Sequence, residues 1–502
     1  MPVPCFLGID VGTTMVNALV ADKNGRVIAV DGTEYDYTQP QPGWAEQDAH
    51  HWWECIKRVT ARVIADLPEP PVALSVATQG DTMLPVDAQN EPMLPARLWM
   101  DNRATNQVQR MLEQLPAEKW RQISGSGLAA YAAAASLAWW ADEHPQVFAE
   151  AAHFCLVQDY LMKRMTGRYM VDAPNASRTL IVDLQSRNWS EPLMAVAGVG
   201  TDRLATVAES GTPVGNLTPE AAAELGLPED TLVVLGAHDQ TAAAVGCGAV
   251  SPGTVMLSAG TAWVLLGAAD GAHIEPQGRV QTYCHALPGS TALLTSYAGG
   301  SLLRWARNNL SQLPTAEISD YDTMTADARE AETSERDPLV FLPHFYGSTA
   351  PIRSANARGA LLGLQLNHTR GDVILALMRG VATQTAAGLA TMAKTGYHVA
   401  EVRMIGGGAQ SPFWAQLVAD ACGRPIRMPD VSEAAAYGAA MLAAVGSDHL
   451  DSVHDIAGMV TIRQEIDPRR HAVTISRRLH GRYLQALDNV WEQLANYRRK
   501  YQ

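Results

Sequence analysis

Phe6-Leu7-Gly8-Ile9-Asp10-Val11-Gly12-Thr13-Thr14 runs directly into Met15-Val16-Asn17-Ala18-Leu19-Val20-Ala21-Asp22. Two apolar runs flank a polar Gly-Thr-Thr turn, and Lys23-Asn24-Gly25 then leads into Val27-Ile28-Ala29-Val30. Apolar runs punctuated by turn residues in this way predict a three-stranded antiparallel meander. A second copy lies far downstream. Thr254-Val255-Met256-Leu257-Ser258-Ala259-Gly260-Thr261-Ala262-Trp263-Val264-Leu265-Leu266-Gly267 again joins two apolar runs through Gly-Thr. Superposing Gly12-Thr13 on Gly260-Thr261 gives a repeat of about half the chain, a domain length rather than a solenoid period. The 502 residues are also too many for one core. Two duplicated domains facing each other across a cleft are expected, 1–246 and 247–502, with the boundary near Gly246 to Pro252.

Beyond each hairpin the pattern becomes mixed. Helices are predicted at Trp52 to Leu67, Leu128 to Asp142, Asp159 to Met165, Asp372 to Met392 and Pro412 to Cys422. Val72 to Thr78 and Val402 to Ile405 read as strands, the latter ending at Gly406-Gly407-Gly408. Strands alternating with helices indicate α/β layers. Asn309 to Pro338 is polar and reads as a surface helical excursion. Tyr483, Leu484, Leu487, Val490, Trp491 and Leu494 form an apolar stripe on a C-terminal helix that should dock.

Composition removes several classes. A formal net charge of -14 repels nucleic acid and anionic membranes at long range. Cys5, Cys55, Cys155, Cys247, Cys284 and Cys422 are scattered without a C-x-x-C pair, which suggests neither a disulfide framework nor a zinc site. The N-terminus lacks a basic, apolar leader, and the alanine-rich Leu128 to Ala141 is shorter than a membrane span. A soluble cytoplasmic protein is expected.

No P-loop, G-x-G-x-x-G, H-E-x-x-H or EF-hand loop occurs, so any phosphate cradle must be of another kind. Asp10-Val11-Gly12-Thr13-Thr14 can supply one: a strand delivers a carboxylate into a Gly turn whose N–H groups and hydroxyls can face a phosphate while Asp10 holds hydrated Mg²⁺. An ordinary hairpin would look similar. Its recurrence at Ser258-Ala259-Gly260-Thr261-Ala262 favours the cradle, since two such turns can pinch a triphosphate between domains. Gly236-Ala237-His238-Asp239-Gln240-Thr241 leaves the apolar strand Leu232 to Leu235 and enters an alanine-rich helix. Asp239 therefore sits at a strand's carboxyl end, where α/β ligands bind. It either caps the helix or accepts a proton from a hydroxyl nucleophile. Gly406-Gly407-Gly408-Ala409-Gln410-Ser411 lets backbone approach a ligand at a helix N-terminus.

In combination these segments resemble the FGGY family of carbohydrate kinases, within the actin-like (ribonuclease H-like) ATPase superfamily. Gly43-Trp44-Ala45-Glu46-Gln47-Asp48, Leu98-Trp99-Met100-Asp101-Asn102-Arg103, Ala357-Arg358-Gly359 and Glu433-Ala434-Ala435-Ala436-Tyr437-Gly438 complete the likeness, from Gly8 to about Val445. The resemblance implies two actin-like α/β domains facing each other across a catalytic cleft, ATP with Mg²⁺, and a small sugar or polyol bound mainly by the N-terminal domain. It implies Asp239 as catalytic base, Asp10 at the metal, and Gly12, Thr13 and Thr14 at the phosphates. Gly260 and Thr261 would contact the transferred phosphoryl; Gly407, Gly408, Gln410 and Ser411 would lie by the nucleotide. Gln79, Gly80, Asp81, Trp99, Asp239 and Gln240 would line the sugar site, with Trp99 either covering the substrate's carbon face or packing in the core. A homodimer is the assembly allowed for.

Length and layout resemble the xylulokinases within that family, which makes a ketopentose such as xylulose the expected acceptor. The substrate side departs from them. Gln79-Gly80-Asp81 stands where Gln-Met-His is usual, Gly347-Ser348-Thr349-Ala350-Pro351 where Gly-Glu-Arg-x-Pro is usual, and Asn17 where Lys is usual. Gln240 after Asp239 is similar to polyol-using relatives, so glycerol, erythritol or ribulose kinases stay open. An actin-like ATPase without a sugar substrate and a sugar-binding sensor are the alternatives from other classes.

Overall fold

The computed structural model describes residues 3–310, 319–345, 347–354 and 357–501, with side chains of 319–320 and 487–501 outside that description. Cys5–Val11 pairs antiparallel with Met15–Asp22, which pairs antiparallel with Val27–Glu34, the predicted meander. On its other edge Cys5–Val11 runs parallel to Ala73–Thr78, which runs parallel to Leu232–His238. Pro213–Asn216 closes this six-stranded sheet antiparallel.

The second sheet repeats the order. Thr254–Ala259, Ala262–Asp270 and Ser290–Ala298 form the meander; Glu401–Ile405 and Ile426–Pro429 add in parallel, and Ile462–Ile466 closes antiparallel. One extra strand, Gln281–Cys284, joins the outer edge. The fold is thus two mixed α/β units with one spatial strand order, as the repeat predicts, though the closing strand precedes its neighbour in the first and follows it in the second.

Two apolar helices cross between the sheets. Asp239–Gly246 follows directly on the last parallel strand of the first sheet, yet its Ala243 and Ala244 cluster with Met256 and Leu266 of the second. Ala434–Gly446, from the second half of the sequence, packs its Ala436, Ala439 and Ala440 with Phe6, Leu19 and Ala73 of the first. Backbones touch where these elements meet. A Cβ on Gly8 would stand 1.9 Å from the Ala436 carbonyl oxygen, and one on Gly438 would stand 2.0 Å from that of Ala242. Small residues are needed at those points because atoms already fill the space.

Predicted helices fall close to their places. Trp52 to Leu67 extends back to Ala49, because Asp48 caps it by accepting from the His50 N–H at 2.9 Å. Leu128 to Asp142 starts later, at Ala133: Ala132 is extended and the Ala134 N–H is taken by the Thr179 carbonyl at 3.0 Å. Asn309 to Pro338 is helical at the surface over Ser319–Glu332, with Asp322, Ala326 and Glu330 exposed, while its other face buries Met324, Ala328 and Ala331 in the core of the second half. Arg370–Ala393 is the one described helix long and apolar enough to cross a membrane, and 78% of its apolar window is buried inside the protein. The C-terminal helix Arg470–Tyr501 docks through Tyr483, which hydrogen-bonds His344 at 3.0 Å and also Gln384. Leu487, Val490, Trp491 and Leu494 lie outside the described side chains. All six cysteines are free.

Candidate active site

The carboxyl ends of the first sheet's parallel strands gather the acidic groups. Asp10 lies one residue before the end of its strand, and its Oδ1 is buried with no hydrogen-bond partner. Burial pushes its carboxyl well above the usual range, and the nearby negative charges of Asp239 and Glu433 push it the same way. Ionised carboxylates held close and dry repel one another, and a cation would relieve that.

Asp239 begins its helix just past the strand. Burial raises its carboxyl to about 6; the Gln240 hydrogen bonds and the Arg178 guanidinium work against this, and Asp81 adds to it. The Gln240 backbone N–H donates to Asp239 Oδ1 at 2.5 Å, and His238 Nε2 lies 3.1 Å from the same oxygen. Burial and the Arg178 charge drive the His238 imidazole well below its usual value, so it is neutral. With Tyr283 Oη 3.4 Å from Nδ1, the consistent tautomer donates from Nε2 to Asp239 and accepts from Tyr283 at Nδ1.

Thr13 is the hub of the first hairpin. Its hydroxyl donates to Gln79 Oε1 at 3.1 Å and accepts from the Trp99 indole N–H at 2.8 Å. Gln47 Nε2 donates to the Thr13 carbonyl at 2.6 Å, and Gln79 Nε2 donates to Gln47 Oε1 at 2.9 Å. Trp99 is 43% exposed, which is not the surface of a core tryptophan. Thr14 is exposed, and Tyr35 donates its hydroxyl to the Gly12 carbonyl.

Gly80 has a packing role as well as its place in the row. A Cβ there would lie 2.6 Å from His238 Cδ2, so the imidazole occupies the space that a side chain would need. Asp81 adopts a left-handed φ of 59° and turns its buried carboxylate onto Arg178, with Nε at 3.0 Å and Nη2 at 2.5 Å.

The second hairpin and the glycine triplet form a separate group. The Gly300 N–H donates to the Gly260 carbonyl at 3.1 Å, and Arg304 Nη2 donates to the Thr261 hydroxyl at 3.1 Å. Gly408 lies against the second hairpin's strand, since its Cβ would sit 2.7 Å from that of Ala259, whereas a Cβ on Gly407 would meet nothing within 4 Å. Gln410 accepts from Arg463 at 3.4 Å, and the Ser411 hydroxyl caps helix Pro412–Cys422 by accepting from the Trp414 N–H at 3.3 Å. Within this group it is Gly408 that packs on the second hairpin.

Sequence reasoning passed over four participants. Gln47 and Glu433 stand inside quoted motifs without a role assigned. His238 stands in the quoted segment without a role of its own, and its tie to Asp239 emerges only in three dimensions. Arg178 carries no motif; it ends the short helix Ala173–Arg178, and nothing in its neighbourhood announces a partner at Asp81.

The N-terminal domain of the FGGY family of carbohydrate kinases matches residues 5–246, and the C-terminal domain of that family matches residues 255–447. The chain belongs to the FGGY family. It is therefore a sugar kinase, a phosphotransferase of a family that uses ATP. Among FGGY relatives it is 30% identical to a xylulose kinase of Escherichia coli (strain K12), over 94% of this chain and 97% of that one. It is 26% identical to a gluconokinase of Bacillus licheniformis over 98% of each. The solved xylulose kinase of Rhodospirillum rubrum, 28% identical, superposes with a TM-score of 0.90 over 98% of this chain and all of that one. FGGY relatives thus include both neutral-sugar and sugar-acid kinases.

Proposed function

We propose that this FGGY kinase transfers the γ-phosphoryl group of ATP to a hydroxyl of a small neutral sugar, a ketopentose such as xylulose being the leading acceptor. Residues 1–246 would hold the sugar and the first phosphate hairpin, and residues 247–502 the nucleotide. The observation that carries the reading is Asp239: a carboxylate raised to about 6 at the end of a parallel strand, with Asp10 close enough to feel its charge. Such a group is ionised at neutral pH and more basic than an ordinary aspartate.

Asp239 accepts the proton as the acceptor oxygen bonds to the γ-phosphorus and the bond from that phosphorus to the β-phosphate oxygen breaks, its electron pair leaving on ADP. Proton removal is a modest part of such a transfer; positioning and charge neutralisation carry most of it. His238 and Gln240 hold the Asp239 carboxylate in place, and Trp99 with Gln79 covers the sugar beside Thr13. The orphaned Asp10 Oδ1, repelled by Asp239 and Glu433, suits Mg²⁺. Among the described residues no cluster of three or more ligating groups exists, which agrees with an ion held through one carboxylate, water and phosphates. Bound there, Mg²⁺ would neutralise charge on the phosphates. Gly12, Thr13, Thr14, Gly260 and Thr261 would face the phosphates, with Gly407, Gly408, Gln410 and Ser411 by the adenosine.

The test is ADP release against xylulose, ribulose, erythritol, glycerol and gluconate. Acceptor-stimulated release is expected, and Asp239→Ala should lose at least ~10² in kcat with little change in ATP affinity. ATP hydrolysis indifferent to every acceptor, or an Asp239→Ala enzyme as fast as the parent, would defeat the reading.

A further inference from the structure

Arg178 and Asp81 form a buried charge pair on the acceptor side of the site, and its wiring is unusual. Their side chains are 11% and 3% exposed. Three of the five guanidinium N–H groups are committed: Nε and Nη2 to Asp81 Oδ2, and Nη1 to Gln281 Oε1 at 2.8 Å. Gln281 belongs to the extra edge strand of the second sheet, and the Arg178 Cζ lies 5.1 Å from the ring centre of Tyr283 on that strand. Asp81 Oδ1, by contrast, is buried without a partner. The cationic end is thus anchored on two sides, and the anionic end keeps one oxygen unspent.

Resting on the kinase reading, we infer that the Asp81–Arg178 pair is a selectivity gate that excludes sugar acids from the acceptor site and admits neutral sugars and polyols. The charges argue it. Around the acceptor stand Asp239 and Asp81, both negative, Arg178, positive, and His238, whose neutral imidazole adds nothing. The balance is already negative by one. An aldonate would bring a further negative charge beside these buried carboxylates, and the guanidinium that faces them, Arg178, is already paired with Asp81. A buried charge without a partner is strongly disfavoured. A hydroxyl-bearing neutral acceptor meets no such penalty, and discrimination by repulsion is a general route to specificity. Removing the Asp81 charge would leave Arg178 in position, held by Gln281, with its charge released.

The test compares kcat/KM for D-gluconate with that for D-xylulose, erythritol and glycerol in the full-length chain. The parent should favour its best neutral acceptor by at least ~10², and Asp81→Asn should narrow that ratio at least ~10-fold, chiefly by lowering the gluconate KM. Asp81→Asn/Arg178→Gln should lose the gain, since the released cation is then gone. Circular dichroism and thermal melting check that each variant is folded. Asp81→Ser, smaller than the native side chain, takes the place of Asp81→Asn if that variant does not fold. A ratio that stays put in an active, folded Asp81 variant overturns the gate, as does a parent that prefers gluconate or a double variant that keeps the gain. An unchanged ratio or a double variant that keeps the gain leaves the kinase reading intact, whereas a parent that prefers gluconate keeps the phosphotransfer and removes the neutral acceptor proposed above. Absence of acceptor-stimulated ADP release in the parent across the whole panel overturns the kinase reading and the gate together.

Discussion

Asp10 and Ser258 occupy the same place in two copies of one hairpin, each two residues before the turn glycine, and only the first has an ionisable side chain. The first hairpin is tied to the acceptor side proposed above: Trp99 and Gln79 hold the Thr13 hydroxyl, and Asp239 and Glu433 press their charge on Asp10. The second is tied to a cation, with Arg304 donating to Thr261. Duplication preserved the backbone cradle while the two turns acquired opposite electrical surroundings. A triphosphate between them would need help against Asp10 on one side and would be welcomed on the other.

The strongest challenge to this contrast is substitution of the charged position. Asp10→Asn should cost at least ~10² in kcat, the size of loss that follows removal of a preorganised electrostatic group, while Ser258→Ala should cost less than about threefold. Asp10→Asn should also raise the melting temperature of the ligand-free protein at pH 7. The folded carboxyl is raised above its unfolded value, so its ionisation weakens the fold as pH climbs past the ordinary aspartate value. That gain should shrink towards pH 4. Equal losses at the two positions would erase the distinction between the hairpins.

A smaller effect sharpens it. With Asp239 raised to about 6, the ionised, proton-accepting form is depleted below that pH. kcat/KM should then fall about tenfold per unit on the acid side. A profile flat down to pH 5 would remove Asp239 from the reaction.

The least costly change probes the sheets beneath the turns. Gly8 and Met256 are counterparts, each two residues before the hairpin's acidic or serine position. Met256 keeps a full side chain under helix Asp239–Gly246, whereas Gly8 meets helix Ala434–Gly446 backbone to backbone. Gly8→Ala should therefore lower stability by about 1–3 kcal/mol through overpacking, read as a lower denaturant midpoint. Gly407→Ala, with open space around its new Cβ, should leave the midpoint where it is.

Much of this was legible in the residues. Apolar runs on either side of Gly-Thr declare the hairpins, and a polar triplet leaving a buried strand declares Asp239. What the sequence could not display depends on contacts distant along the chain. Helix Ala434–Gly446 is apolar on all sides, so no polarity pattern says which sheet it covers. The late start of helix Ala133–Glu143 comes from capture of one N–H by the Thr179 carbonyl. Arg178 finds Asp81 ninety-seven positions away, and Gly80 is small because His238 fills the space beside it. Periodicity reports what a segment buries, not what it meets.

The crossing of the two apolar helices bears on synthesis. The first sheet is complete once His238 has left the ribosome, yet the helix that roofs one of its faces, Ala434–Gly446, is among the later segments made. Until it arrives, Phe6, Leu19 and Ala73 of the nascent chain stand uncovered. The first half therefore cannot bury that face by itself, and an apolar surface persists from completion of the first sheet until this helix emerges, the condition under which nascent chains rely on chaperones.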